Sequence, residues 1–208
     1  MCNDARDYLV HAQDPAFATD HALRQSLDDV AIQRFASMLN DRARARRDKF
    51  RMGACMAKGA RADAVLRELA ACHEEGGSLV VPIHTGNHWY AVHINFEHFT
   101  IRQLDSADSG RVGRLAAQLL STLRVLDARW RDVEIILEDV PQQGRRSNDC
   151  GVFVCLFSLC IATDPAAPIT LPTDLGSFSR QARLLVAGVA ARDGPGLEAF
   201  NRMYKPQR

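Results

Sequence analysis

Asn148-Asp149-Cys150-Gly151 opens an apolar run, and upstream of it lie His88-Trp89 and Leu104-Asp105-Ser106. These segments supply a thiol, an imidazole and a carboxylate, the three groups that nucleophilic acyl transfer requires. A thiol attacks well at neutral pH only when its thiolate is stabilised, and both a helix N-terminus and a neighbouring imidazole do this. Polar Ser147, Asn148 and Asp149 precede Cys150, and Gly151 follows with no side chain to obstruct approach. Cys155 and Cys160 lie deep in apolar sequence and read as core residues.

Among the seven histidines, His88 ends a loop containing Gly86 and precedes an apolar strand, where an imidazole can face a cleft. His84 is the alternative. His93 falls inside the strand and reads as a buried ring satisfied by backbone, and His98 lies in a hairpin connection. Asp105 ends the next strand, and its expected task is to hold the tautomer of the imidazole. Gln142 or Gln143 can offer an amide donor to a developing oxyanion, with the backbone amide of Cys150 as the second donor.

These residues need a scaffold, and hydrophobic periodicity outlines one. An amphipathic helix is predicted from Ser26 to Leu39, with Asp28 and Asp29 near its positive end. The run Arg42, Arg44, Arg46, Arg47, Lys49 and Arg51 reads as a solvated loop or helix face, or as a localisation signal or interaction patch. A second helix spans Ala60 to Ala71 and ends at Gly76-Gly77, and a strand follows over Leu79 to Ile83. Trp89 to Asn95 and Thr100 to Leu104 form an antiparallel hairpin. If Phe96 pairs with Phe99, paired residue numbers sum to 195, so Asp105 falls opposite Tyr90 and within two residues of His88. A helix over Val112 to Trp130, a strand over Val133 to Leu137 and a final helix from about Ser177 to Ala191 complete the pattern. From Cys150 to Ala162 nearly every residue is apolar, which predicts a helix buried on most sides, capped by Asn148 or Asp149. The fold class is α+β, a mixed central sheet flanked by helices with the nucleophile at the N-terminus of a buried central helix.

The 208 residues are 47% hydrophobic, enough for one substantial core, so a single domain with a 1–25 extension is expected. Lys and Arg number 26 against 25 Asp and Glu, a net charge of +1 that gives no global field for nucleic acid or an anionic membrane. The longest apolar stretch, Val152 to Ala162, is too short to span a bilayer, and Asp4, Arg6 and Asp7 replace the apolar core of a secretory signal. Six cysteines without Cys-x-x-Cys spacing point to reduced thiols in a cytoplasm or nucleus, of a host cell or otherwise, and to no metal site.

Taken in order, His88-Trp89, Asp105, Pro141-Gln142-Gln143 and Asp149-Cys150-Gly151 resemble the ubiquitin-like-protein (SUMO/sentrin-type) proteases of the adenain-like cysteine peptidase clan, over roughly residues 26 to 163. The resemblance implies a papain-like core in circularly permuted order, with Cys150 as nucleophile, His88 as base, Asp105 as orienter and Gln143 in the oxyanion hole. It implies cleavage after a Gly-Gly end of a SUMO-like modifier or ubiquitin, with Trp89 covering the substrate channel. Gln142, Asp149 and Gly151 are expected to border the substrate. No cofactor is required, and a monomer acting on a modifier or its conjugate is expected. Two departures stand out: Gln143 lies seven residues before Cys150 where the family has six, through Gly144-Arg145-Arg146, and Ser26 replaces a second channel tryptophan. Rival readings are a maturation endopeptidase of a virus or mobile element, an effector-type protein acetyltransferase, and a silent modifier-binding module.

Overall fold

The computed structural model describes residues 27, 29–57, 62–107, 110–143 and 147–169. The extension 1–25, Ser26, Gly144-Arg145-Arg146 and the helix expected over Ser177 to Ala191 lie outside the described residues. In chain order the elements are α1 (Asp29–Arg46), β1 (Phe50–Met52), β2 (Met56–Ala57), α2 (Ala62–Glu75), β3 (Ser78–His84), β4 (Trp89–Asn95), β5 (Thr100–Leu104), α3 (Arg114–Leu126), a 3-10 turn (Ala128–Trp130), β6 (Ile135–Leu137) and α4 (Cys150–Thr163).

The six strands make one mixed sheet, ordered β1-β3-β4-β5-β6, with β2 pairing with β3 beside β1. The β1, β2 and β6 pairings are parallel and the central β3-β4-β5 meander is antiparallel. Strand residues alternate between the two faces. Val80, Trp89, Ala91 and Leu104 join α1 and α4 in one apolar cluster. Leu79, Val81, Ile83, Tyr90, Val92, Ile94 and Ile101 join α2 and α3 in the other. The sheet is therefore covered on both faces, and an α+β fold with a mixed sheet between helices is what forms.

The hairpin has the register its sequence predicts, with Asn95 opposite Thr100 and Ala91 opposite Leu104. Asn95 fixes the turn, its side-chain oxygen accepting from the amides of Glu97 and His98, both at 3.0 Å. Phe99 at the far side takes φ 53°, which the turn imposes on it.

Helix α4 has no polar stripe: all twelve residues from Cys150 to Ile161 are buried. Each fully buried Leu, Ile or Phe on such a helix contributes about 1.5–3 kcal/mol, and this burial, rather than capping, holds α4 in place. Asp149, one of the two residues expected to cap α4, occupies the N-cap position, but its side chain makes no cap bond and accepts instead from Ser147 Oγ.

Other expectations shift as well. Helix α1 runs on to Arg46, so the first half of the basic run is helix and the second half leads into β1, a strand the sequence reading missed. Arg44, Arg47, Lys49 and Arg51 line an open cleft of about 610 Å³ with Asp48, Glu68 and Glu75, so acids and bases alternate there. The long helix expected over Val112 to Trp130 stops at Leu126. Asp127 adopts φ −151°, and its carboxylate accepts from Arg129 N at 2.8 Å to start the 3-10 turn. His93 is fully buried, but its partners are side chains rather than backbone. Arg102 donates to Nδ1 (2.9 Å from Nη2), so Nε2 carries the hydrogen facing Ser78 Oγ at 3.2 Å. Burial, reinforced by the Arg102 charge, pushes the His93 pKa down to about 3, keeping the ring neutral. Arg102 also donates to Pro165 O at 2.9 Å, which ties the segment after α4 to the middle of the sheet.

Candidate active site

The turn between β3 and β4 sets His88. Thr85 N donates to His88 O at 2.9 Å, and Gly86 takes φ 106°, a conformation that side chains rarely adopt. His88 thus precedes the first residue of β4, just as Asp105 follows the last residue of β5. The register of the hairpin brings them together, with His88 Nε2 2.7 Å from Asp105 Oδ1. Asp105 Oδ1 also accepts from Ala107 N at 3.0 Å, which fixes the carboxylate on its own turn.

Cys150 arrives from the other direction, as the first residue of α4, and packs against β4. Its thiol lies close enough to the His88 imidazole for each group to shift the other's pKa. Burial alone would raise the Cys150 pKa. The hydrogen bond from His88, the backbone amides of Trp89 and Gly151 and the imidazolium charge outweigh it and bring the thiol below its ordinary range. His88 moves the opposite way, up to about 9, through its bond to Asp105 first and to Cys150 second, against the effect of burial. The two shifts run in opposite senses, and both favour a thiolate beside an imidazolium. Cys155, fully buried on the same helix, has its thiol pushed well above the ordinary value by burial. The five described cysteines are free thiols.

The amide of Trp89 is a thiolate donor that the sequence did not reveal, because only the crossing of β4 by α4 brings it to Cys150. The Trp89 indole is buried at 3% exposure, donates from Nε1 to Leu27 O at 3.1 Å, and stacks on His84 at 4.3 Å between ring centroids. His84, the alternative base, is thereby engaged with an aromatic face. His98 remains in the hairpin connection, and His93 is sealed beneath α4.

Gly151 has a packing task. A Cβ there would lie 2.9 Å from Leu27 Cβ, so the bare backbone lets the start of α1 close over the start of α4. Asp149, expected at the substrate border, is buried and bonded to Ser147. The two glutamines differ. Gln142 spends its amide on Val140 O (2.8 Å) and Asp105 O (3.2 Å). Gln143 donates its backbone N–H to Ser106 O at 2.7 Å, and its Oε1 accepts from Ser106 Oγ at 3.5 Å, a bonding pattern that leaves Nε2 without an acceptor among the described residues. Among the described residues no group of three or more His, Cys, Asp or Glu is placed to hold a metal ion.

The sequence profile of the Ulp1 protease family, C-terminal catalytic domain, matches residues 30–185. The chain belongs to that family. It is accordingly a cysteine peptidase of the ubiquitin-like-protein protease type. No curated protein matches the chain in sequence. Solved structures share the fold of this Ulp1-family domain at low identity. The SUMO protease Ulp1 with its catalytic cysteine oxidised to a sulfenic acid is 19% identical, with TM-score 0.60 over 92% of this chain and 83% of that one. The Ulp1 protease domain in complex with Smt3, the yeast ortholog of SUMO, is 17% identical, with TM-score 0.58 over 93% and 96%. The central domain of Lpg1148 from Legionella pneumophila is 15% identical, with TM-score 0.52 over 86% and 96%. No helix among the described residues is long and apolar enough to cross a membrane.

Proposed function

We propose that this Ulp1-family domain is a thiol protease that cuts after the Gly-Gly carboxyl end of a SUMO-like modifier or ubiquitin, through Cys150, His88 and Asp105 with Gln143 in the oxyanion hole. The observation that carries the reading is the meeting of three groups: His88 Nε2 lies 2.7 Å from Asp105 Oδ1, and the Cys150 thiol at the head of α4 is close enough to the same ring for each to shift the other's pKa. The resolved relative bound to Smt3 supports a ubiquitin-like substrate.

In this mechanism the Cys150 thiolate attacks the scissile carbonyl carbon, and the developing oxyanion takes hydrogen bonds from Gln143 Nε2 and the Cys150 backbone amide. The His88 imidazolium, its other nitrogen bonded to Asp105, gives its proton to the leaving amine as the C–N bond breaks. The neutral ring then takes a proton from water, which attacks the thioester and releases the carboxylate product and Cys150. Gln143 is preferred over Gln142 as the oxyanion donor because the Gln142 amide is already spent on two protein carbonyls. Trp89 walls the substrate channel in this reading, and at 3% exposure it needs His84 or Leu27 to yield as the modifier's tail enters.

The test is incubation with ubiquitin and SUMO probes carrying a C-terminal electrophile, read by intact mass. One adduct is expected in the parent and in Cys155→Ser, none in Cys150→Ala, and a rate at least a hundredfold lower in His88→Ala. An adduct that survives Cys150→Ala would refute the site. Failure of every probe would refute the substrate class and turn attention to precursor cleavage or acetyl transfer.

A further inference from the structure

The described residues between β6 and α4 have no regular secondary structure, and Pro141 removes a donor among them. This segment must nonetheless carry Gln143 to the site. Glu138 is held by Gln103 and Arg102 at the β6 end, and the attachments of the two glutamines reach Asp105 and Ser106: Gln142 Nε2 donates to Asp105 O (3.2 Å), Gln143 N donates to Ser106 O (2.7 Å), and Ser106 Oγ donates to Gln143 Oε1 (3.5 Å). Asp105 is the residue whose carboxylate meets His88, and Ser106 beside it is 1% exposed. Gln142 is itself exposed, so apolar packing does not explain where its side chain lies. Its second bond, to Val140 O at 2.8 Å, folds the side chain back over its own segment and closes a bridge from Val140 to Asp105.

We propose that Gln142 is a positioning residue that straps the Gln143 segment onto the Asp105 turn, so that the oxyanion donor and the imidazole's orienter move as one piece. The inference rests on the proposed role of Gln143. It assigns Gln142 a different task from the substrate contact expected of it, because an amide committed to two carbonyls of the protein has no donor left for a peptide. The strap matters because placement governs rate: a displacement of about 1 Å at a positioned group costs on the order of a hundredfold.

The experiment compares the parent, Gln142→Leu, Gln143→Ala and the double variant. Amide hydrogen exchange of the free protein should show the Gln143 amide exchanging about tenfold faster in Gln142→Leu, with β4 and α4 unchanged. With a modifier carrying a C-terminal fluorogenic amide, kcat should fall about tenfold in Gln142→Leu with KM within twofold. Alkylation of Cys150 by chloroacetamide, which uses the ion pair and no oxyanion hole, should keep its rate. In the Gln143→Ala background the Gln142 change should cost nothing further. Unchanged exchange at Gln143, a rise in KM at constant kcat, or an undiminished loss in the Gln143→Ala background would each overturn the strap. The exchange measurement needs no substrate, so a parent inert toward every modifier would refute the proposed activity while exchange still decides the strap.

Discussion

Asp105→Asn removes one charge and leaves an oxygen able to accept from His88 Nε2, so ring orientation is largely preserved while the electrostatics change. The imidazole stands at about 9 against an ordinary 6.5. At 1.36 kcal/mol per pKa unit that preference for imidazolium is worth about 3 kcal/mol. Asp105 supplies the largest share, across a 2.7 Å contact with 12% of its side chain exposed, and Cys150 adds the next. An opposite charge at this range is worth about one to three pH units, and solvent at the rim together with the remaining Cys150 thiolate places the expected fall at about one to two. The assay is the pH dependence of Cys150 alkylation by chloroacetamide, followed by mass. The parent should show a plateau at neutral pH from the ion pair and a second rise near 9 as His88 loses its proton. In Asp105→Asn the second rise should move down by about one to two pH units, and kcat/KM should fall about ten- to thirtyfold as a charged hydrogen bond becomes a neutral one. Stability carries the same signature. Because the folded pKa of His88 lies above its unfolded value, the pair's contribution is complete below about pH 6.5 and is lost as pH rises through about 9, and the variant should flatten that decline. A second alkylation step that stays where the parent has it would refute the assignment of Asp105 as the principal cause.

Two further outcomes follow from packing. Gly151→Ala gains about 1 kcal/mol of helix propensity but drives a methyl to 2.9 Å from Leu27 Cβ, a stem atom that cannot swing aside. A net loss of about 1–2 kcal/mol is expected in urea denaturation, and a stabilised variant would show that α1 does not close on α4 there. Arg102→Leu strips His93 Nδ1 and Pro165 O of their donor, and a loss of about 3 kcal/mol in the same assay is expected, whereas a neutral result would mean that water replaces the guanidinium.

The hairpin was legible because its information is local: two β-prone runs and a four-residue connection fix one register, and the register alone puts His88 beside Asp105. Helix α4 was legible from its uniform apolarity. Strands β1 and β2 were not, since two or three residues are too short to show a period, and Arg51 within β1 belongs by composition to the basic run. Distant pairings were equally hidden. Nothing in the spacing says that Arg102 reaches across the sheet surface to Pro165, that the amide of Trp89 meets a sulfur sixty-one positions later, or that adjacent glutamines bond to different partners. Those depend on which elements cross, and crossing angles are not written in any one segment.

The burial of α4 on every side has a consequence for the chain before it is folded. His88 and Asp105 share a hairpin that can close early, but Cys150 rides on a helix with no solvent-facing stripe, which can settle only once the sheet and α1 are there to receive it. Until then Cys150 is an ordinary thiol, without Trp89, Gly151 or His88 to hold its charge. A nascent or half-unfolded molecule would therefore be chemically quiet, poor at cutting its neighbours and slow to oxidise. Reactivity at this one sulfur would serve as a count of the molecules in which α4 has docked.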